Sequence, residues 1–263
     1  MPIHLEQQDC NPHCLKYLWS VLNNKEFVRC VAQLALGQHR HVLHVIRALG
    51  PSQASDVYKE EVNELIRILK QTGSGQLENR DGWLFQLVSW IALAIRMNES
   101  SWMDPPHQMP SQKGFDGLCV CLSDKNDKLD YLFITEDKAT MLPRDVFRDE
   151  VLPAIRKIES GALTSQIRSR ASVLVGLAKS EEKDREQILQ AALWQSVLRF
   201  RTCFATQPDC LPKGIELFGG YADAAPGVID RRNGELLLVQ DLRKWFRALA
   251  GKVISELRKM KQI

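Results

Sequence analysis

Two short stretches of this 263-residue chain hold residue types that can do phosphoryl chemistry. Gly114-Phe115-Asp116-Gly117 opens one apolar segment, and Glu136-Asp137-Lys138 closes the next. Phe115 to Leu122 and Leu129 to Ala139 read as strands, and the polar run Ser123 to Lys128 reads as the hairpin turn between them. Side chains alternate faces along a strand, so Glu136 and Lys138 share one face and Asp137 takes the other. A hairpin sets the start of its first strand beside the end of its second, which brings Asp116 next to Glu136 and Lys138. Two carboxylates and one ammonium then converge.

Hard carboxylate oxygens suit Mg²⁺, or Mn²⁺ in its place, with waters and phosphate oxygens completing the coordination shell. Such an ion polarises a phosphoryl oxygen and lowers the pKa of a bound water. A lysine beside it can hold the attacking water and offset the charge that develops. The pattern fits phosphodiester hydrolysis. The other reading is an exposed cross-strand ion pair at the hairpin's open end, worth about 0.2–1 kcal/mol. Apolar residues on both faces of the second strand argue for a central strand, where unpaired charge is costly. The one other Glu-x-Lys, Glu181-Glu182-Lys183, has no apolar strand before it.

The pattern resembles the PD-(D/E)XK nuclease superfamily, which includes restriction enzymes, lambda-type exonucleases and many anti-phage effector nucleases. That family carries an acid on one strand and an acid-x-Lys tripeptide on the neighbouring strand, with a helix before and after. Asp116 matches the first acid, Glu136 and Lys138 match the tripeptide, and the resemblance covers about residues 78–160. It implies an α/β fold with a restriction-endonuclease-like core, a central mixed sheet flanked by helices. It further implies a Mg²⁺-dependent deoxyribonuclease with Asp116, Glu136 and Lys138 as its catalytic residues. Asp116, Glu136 and the backbone carbonyl of Asp137 would hold the metal, and Lys138 would position the water. Gly114-Phe115 stands where a proline often precedes the first acid. The family's optional acid on the first helix is missing unless Glu78 supplies it from just before the helix; Gln86 can face the site instead. Gln86, Arg144 and Arg148 are candidate nucleic-acid contacts, although Asp145 and Asp149 beside the arginines suit ion pairing on the helix surface equally well. The modest charge implies weak intrinsic DNA affinity, hence delivery or activation by a protein partner, as for an effector subunit of a bacterial anti-phage system. The alternative is a catalytically inactive nucleic-acid- or protein-binding subunit with a nuclease-like fold, against which the complete Asp/Glu/Lys set argues.

The elements that must position these residues read as follows. Residues 13–49 have apolar positions at helix spacing, among them Leu15, Leu18, Trp19 and Leu22. Ser55 to Gln71 is a further amphipathic helix, and Thr72-Gly73-Ser74-Gly75 is a break. The expected division is an N-terminal helical domain, residues 1–75, and a nuclease domain, residues 76–263. Trp83 to Met97 is a helix apolar almost all round, with Gln86, Ser89 and Arg96 near one line. Leu142 to Gly161 is helical, with Pro153 expected to kink or split it. Ala171 to Leu177 is a β-branched run, Glu181 to Arg199 a helix, and Arg201 to Thr206 a strand. Asn233-Gly234 signals a hairpin, and a helix from Asp241 to about Met260 closes the chain.

Composition sets the outer bounds. With 44% hydrophobic and 25% charged residues, the chain is globular rather than disordered. The longest nearly apolar stretch, Leu84 to Ile95, is shorter than a membrane span. Met1 to Cys10 has no basic start followed by an apolar core, so the expectation is a cytoplasmic protein without membrane contact. Seven cysteines, an odd number, argue against a disulfide framework. Cys10, His13 and Cys14, with His39, His41 and His44, match no common zinc spacing and read as scattered thiols and surface histidines. Residues from 241 onward carry seven basic side chains against two acidic ones, in a chain of net charge +3. A basic helix with Trp245 and Phe246 suits a nucleic-acid backbone, and equally a solvated face.

Overall fold

A computed structural model describes residues 2–8, 12–22, 24–48, 57–73, 75–110, 114–123, 128–178, 182–191, 197–212 and 216–260. Its centre is a seven-stranded mixed sheet in the order β1-β2-β7-β6-β5-β4-β3. The strands are β1 (Ile3–Gln8), β2 (Leu15–Val21), β3 (Ser101–Met103), β4 (Gly117–Leu122), β5 (Leu129–Ala139), β6 (Leu198–Thr206) and β7 (Arg232–Leu238). The three strands β5, β6 and β7 run parallel, β2 joins parallel to β7, and β1, β4 and β3 pair antiparallel to their neighbours. The protein is therefore α/β.

Strict alternation along the strands builds a core on each face. One face, with Trp19, Cys119, Phe133, Cys203 and Leu237, is covered by α1 (Asn24–Ala35), α2 (His39–Arg47), α3 (Lys59–Leu69), α4 (Gln76–Arg96) and α10 (Leu242–Met260). The other, with Val120, Ile134, Phe200, Phe204 and Leu236, is covered by α5 (Pro143–Val146), α6 (Leu152–Glu159), α7 (Thr164–Ala178), α8 (Glu182–Ala191) and α9 (Tyr221–Ala224). Among the described residues no helix is long and apolar enough to cross a membrane.

The expected β4–β5 pair is present and antiparallel, with Gly117 opposite Thr135. Pro153 also acts as expected: Phe147–Val151, just before α6, is a π-helical segment. The wider turn accommodates a ring that would clash with the carbonyl four residues back.

Four expectations are corrected. Residues 13–49 are not all helical, because Leu15–Val21 is β2, paired to β1 on one side and β7 on the other. Alternation of Leu15, Tyr17 and Trp19 with Lys16, Leu18 and Ser20 serves a strand as well as the helix spacing serves a helix, and sheet pairing decides. The first 75 residues thus give two strands to the same sheet as β4–β7. Ala171 to Leu177 lies inside α7, where Ile167, Ala171, Leu174 and Val175 are buried at helical spacing. The helix expected over Glu181 to Arg199 runs only over Glu182–Ala191, and Leu198 and Arg199 already belong to β6; residues 192–196 lie outside the described residues.

Asn233-Gly234 forms no hairpin. Both residues sit inside β7, flanked by β2 and β6. Glycine is required there for another reason: a Cβ on Gly234 would lie 2.5 Å from the Phe218 ring and 2.9 Å from Cys14 Sγ. Overpacking of this kind costs about 1–3 kcal/mol. Gly234→Ala is expected to lower the melting temperature by roughly 2–10 °C, and Phe218→Leu in the same chain to recover part of the loss. Thermal melts of the single and double variants check this; an unchanged Gly234→Ala melt contradicts the packing described.

Candidate active site

The site forms where the β4–β5 ladder ends. Gly117 opposite Thr135 is the last pair, so the next positions, Asp116 and Glu136, stand across from each other. Asp116 N–H still donates to the Thr135 carbonyl at 3.0 Å. Its side chain then takes the place of a ladder partner, since Oδ2 accepts the backbone N–H of Asp137 at 2.7 Å. A strand residue turns its N–H and C=O toward the same neighbour, so the Asp137 carbonyl faces Asp116 as well.

Glu136 and Lys138 lie on the α5–α9 side of the sheet. Lys138 Nζ is 3.8 Å from Glu136 Oε2 and 3.4 Å from Glu150 Oε2 in the π-helical segment. From the other side, Gln86 of α4 donates through Nε2 to Asp116 Oδ1. Asp137 points away from Glu136, as alternation requires, and its Oδ1 accepts the Ser89 hydroxyl at 2.5 Å. An open groove of about 490 Å³ leads to this place, lined by Glu78, Asn79, Gln86, Lys138, Thr140 and Glu150 among others.

The electrostatics follow from crowding acids out of water. Burial, then the charges of Glu136 and Asp137, pushes Asp116 well above the usual carboxylate range. Burial also raises Glu136 to about 7, with Asp137 and Glu150 adding to it against the pull of Lys138. Asp137 is raised by burial to about 6, held down in part by Arg201. Burial disfavours the Lys138 charge, but Glu136, Asp116 and Glu150 outweigh it and raise its pKa. Lys138 is thus an ammonium at neutral pH, a donor and not a base.

Below the site lies a fully paired ionic network. Arg201 of β6 and Glu235 of β7, 1% and 0% exposed, meet at 2.6 Å. Arg96 Nη1 reaches the other Glu235 oxygen at 2.5 Å, and Trp19 Nε1 donates to Oε2 at 2.8 Å. Arg201 also donates to the Ser89 hydroxyl at 2.8 Å and stands 3.8 Å from Asp137. Burial alone would raise Glu235, yet Arg201 and Arg96 hold it at about 2. Sequence reasoning placed Gln86, Ser89 and Arg96 on one line of a buried helix without a partner; their partners are Asp116, Asp137 with Arg201, and Glu235. Arg201 and Glu235 were missed, although each is a charge inside an apolar strand, which is the signal for a buried pair.

The remaining candidates lie elsewhere. Arg144 donates to the carbonyls of Leu217 and Gly219 at 3.0 and 2.8 Å. Arg148 is paired with Asp149 at 2.7 Å and Asp145 at 2.9 Å, and neither arginine lines the groove. Glu78 sits in the first turn of α4 at the groove rim and pairs with Arg243 at 2.9 Å. His13 pairs with Glu216, and Cys14 is buried, which pushes its thiol up to about 12; Cys10 lies outside the described residues. Among the described residues no three His, Cys, Asp or Glu side chains are grouped to hold a metal. The oxygens that could serve a cation are the Asp116 and Glu136 carboxylates and the Asp137 backbone carbonyl. These hard oxygens and an acidic pair offset by the single Lys138 charge fit a small divalent cation. Comparison with protein-family models, with curated proteins and with solved structures finds no match.

One substitution at two glutamates should have opposite effects. A carboxylate whose pKa is higher folded than unfolded takes up protons on folding, so its cost is full above the folded value and is relieved as the pH falls toward the unfolded one. Glu136→Gln is expected to raise the melting temperature of the metal-free protein by roughly 3–10 °C at about pH 8, and by much less at about pH 5. Glu235 has the depressed value, so its contribution is present above about pH 4.5 and lost as the pH falls toward 2. Glu235→Gln leaves Arg201 and Arg96 with uncompensated charge and is expected to cost about 3–5 kcal/mol at neutral pH. Denaturant unfolding of both variants across pH measures the two signs.

Proposed function

We propose that this chain is a divalent-metal-dependent nuclease of the PD-(D/E)XK kind that hydrolyses DNA phosphodiester bonds. The observation that carries the reading is the convergence of Asp116, Glu136 and Lys138 at the open end of one ladder, beside a groove that Lys138 and Gln86 line. Helix α4 before the strands and the helices after Pro143 stand where the resemblance puts its flanking elements. Clustered acids pushed this far from their ordinary range beside an open groove are candidates for a working site.

Asp116, Glu136 and the Asp137 carbonyl would hold Mg²⁺ or Mn²⁺. Bound there, the ion would supply Lewis-acid stabilisation of the charge that develops on the phosphoryl oxygens. The chain's own residues do the rest. Gln86 and the Asp137 N–H orient the Asp116 carboxylate, leaving one lone-pair direction on each oxygen for the ion. Lys138, held as an ammonium between Glu136 and Glu150, can donate to the attacking water and to the developing charge. Glu150 was absent from the sequence reading, and it keeps that lysine charged and aimed. The chain's net charge of +3 is small for a DNA-cleaving enzyme, which favours delivery or activation by a protein partner, as in anti-phage effectors.

Purified protein incubated with linear, circular and single-stranded DNA is expected to cleave with Mg²⁺ and not with a chelator. Lys138→Ala and Asp116→Ala are each expected to lose roughly a hundredfold to a thousandfold in rate per folded molecule, the size of a lost electrostatic contact to the transition state. Circular dichroism melts on the same preparations separate chemistry from folding. Full activity in a folded Lys138→Ala chain would sink the reading.

A further inference from the structure

The two arginines singled out as phosphate contacts are committed elsewhere, Arg144 to backbone carbonyls and Arg148 to neighbouring aspartates. Exposed cations also line α10. Its aromatic residues face inward, with Phe246 fully buried against Phe85 and Trp245 packed against Phe27 and Phe246. Lys244, Arg247 and Arg258 are exposed, and among the described residues no carboxylate pairs with them. With Gly251 and Ser255 they fall at spacings of three, seven, eleven and fourteen from Lys244, which is one face of a helix about 21 Å long.

Two features of this face have no explanation inside the chain. Basic residues near a helix N-terminus oppose its dipole; Asp241 caps this end of α10 and Arg243 is paired with Glu78 and Asp81, but Lys244 stands exposed there with no carboxylate partner among the described residues. Gly251 in a helix interior costs about 1 kcal/mol relative to alanine, although a Cβ there would meet nothing within 4 Å. A small residue in open space on a helix face permits close approach of something outside the chain.

The placement suits the groove. The parallel strands β5, β6 and β7 all end at one edge of the sheet, where Thr140 N–H bonds to Ala205 and Val239 N–H to Thr206. The groove opens at that edge, and α10 starts there. Arg243 joins the two by pairing with Glu78 on the groove rim and with Asp81. We propose that the Lys244–Arg247–Gly251–Arg258 face of α10 is the surface that binds the DNA phosphate backbone flanking the groove. This rests on the nuclease reading for the identity of the polymer and extends it to residues outside the catalytic group. The contacts are to phosphates, so they fix position on the strand and carry no sequence preference.

The test measures binding in a Lys138→Ala background with a chelator present, so that no DNA is cut. Fluorescein-labelled duplex and single strand of equal length are titrated by anisotropy at several salt concentrations. Lys244→Ala and Arg247→Ala are each expected to weaken binding roughly tenfold at about 0.1 M salt and to flatten the duplex salt slope by about 0.9. Gly251→Leu is expected to raise the melting temperature while weakening binding, a combination that a purely structural glycine would not show. Arg148→Ala serves as the exposed control and should change neither. Unchanged affinity in a folded Lys244→Ala/Arg247→Ala chain overturns the proposal, as does a wild-type face that binds no DNA. The two readings fail separately: DNA held through α10 but never cut by the unmutated chain would refute the nuclease and uphold this surface.

Discussion

The Arg201–Glu235 pair is the constraint on which the rest of the molecule is hung. Both ions are almost wholly withdrawn from water, at 1% and 0% exposure. Taking each there costs several kcal/mol unless its hydrogen-bonding capacity is met. The partners that meet it come from five elements: Trp19 of β2, Ser89 and Arg96 of α4, Asp137 of β5, and Arg201 and Glu235 themselves on β6 and β7. A register slip in any one of these strands would strand a buried charge. The network therefore specifies alignment in addition to what apolar packing already enforces.

The candidate site borrows this rigidity. Ser89 and Arg201 hold the Asp137 side chain on one face of β5, so its backbone presents N–H and C=O toward Asp116 at the ladder's end. Two strands away, on the opposite face of the sheet, the treatment of charge reverses. Glu235 is offset by two arginines and falls to about 2, whereas Glu136 has one shared lysine and rises to about 7. The same side-chain type thus secures the fold in one place and costs stability in the other.

The layers divide the labour in a related way. The face covered by α5–α9 supplies Glu150 through a π-helical widening, which Pro153 makes necessary and which brings a carboxylate to Lys138. The opposite face supplies α4, whose polar line meets the network and Asp116, and α10, whose inner side completes the core. The groove lies between these layers at the edge where the parallel strands end, the place where open α/β sheets commonly bind ligands.

The residues that matter most were legible in the chain itself. Two apolar runs, Phe115–Leu122 and Leu129–Ala139, separated by a polar stretch, determined an antiparallel pair, and that pair put Asp116 opposite Glu136, with Lys138 on the same face as Glu136. The closing helix was equally plain, because its periodicity is local and strong; the buried helix was read from Trp83, whereas α4 begins at Gln76. The fate of Leu15–Val21, Ala171–Leu177 and Asn233-Gly234 was decided only by tertiary structure. Leu15–Val21 satisfies helix and strand spacing alike, and becomes a strand because β1 and β7 offer their backbone groups. Asn233-Gly234 would turn in isolation, but β2 and β6 hold it extended, and Phe218 fills the space that the missing Cβ leaves. Pairing between residues some two hundred positions apart, as in Trp19 with Glu235, leaves no local trace, because its free energy exists only once both strands are already side by side.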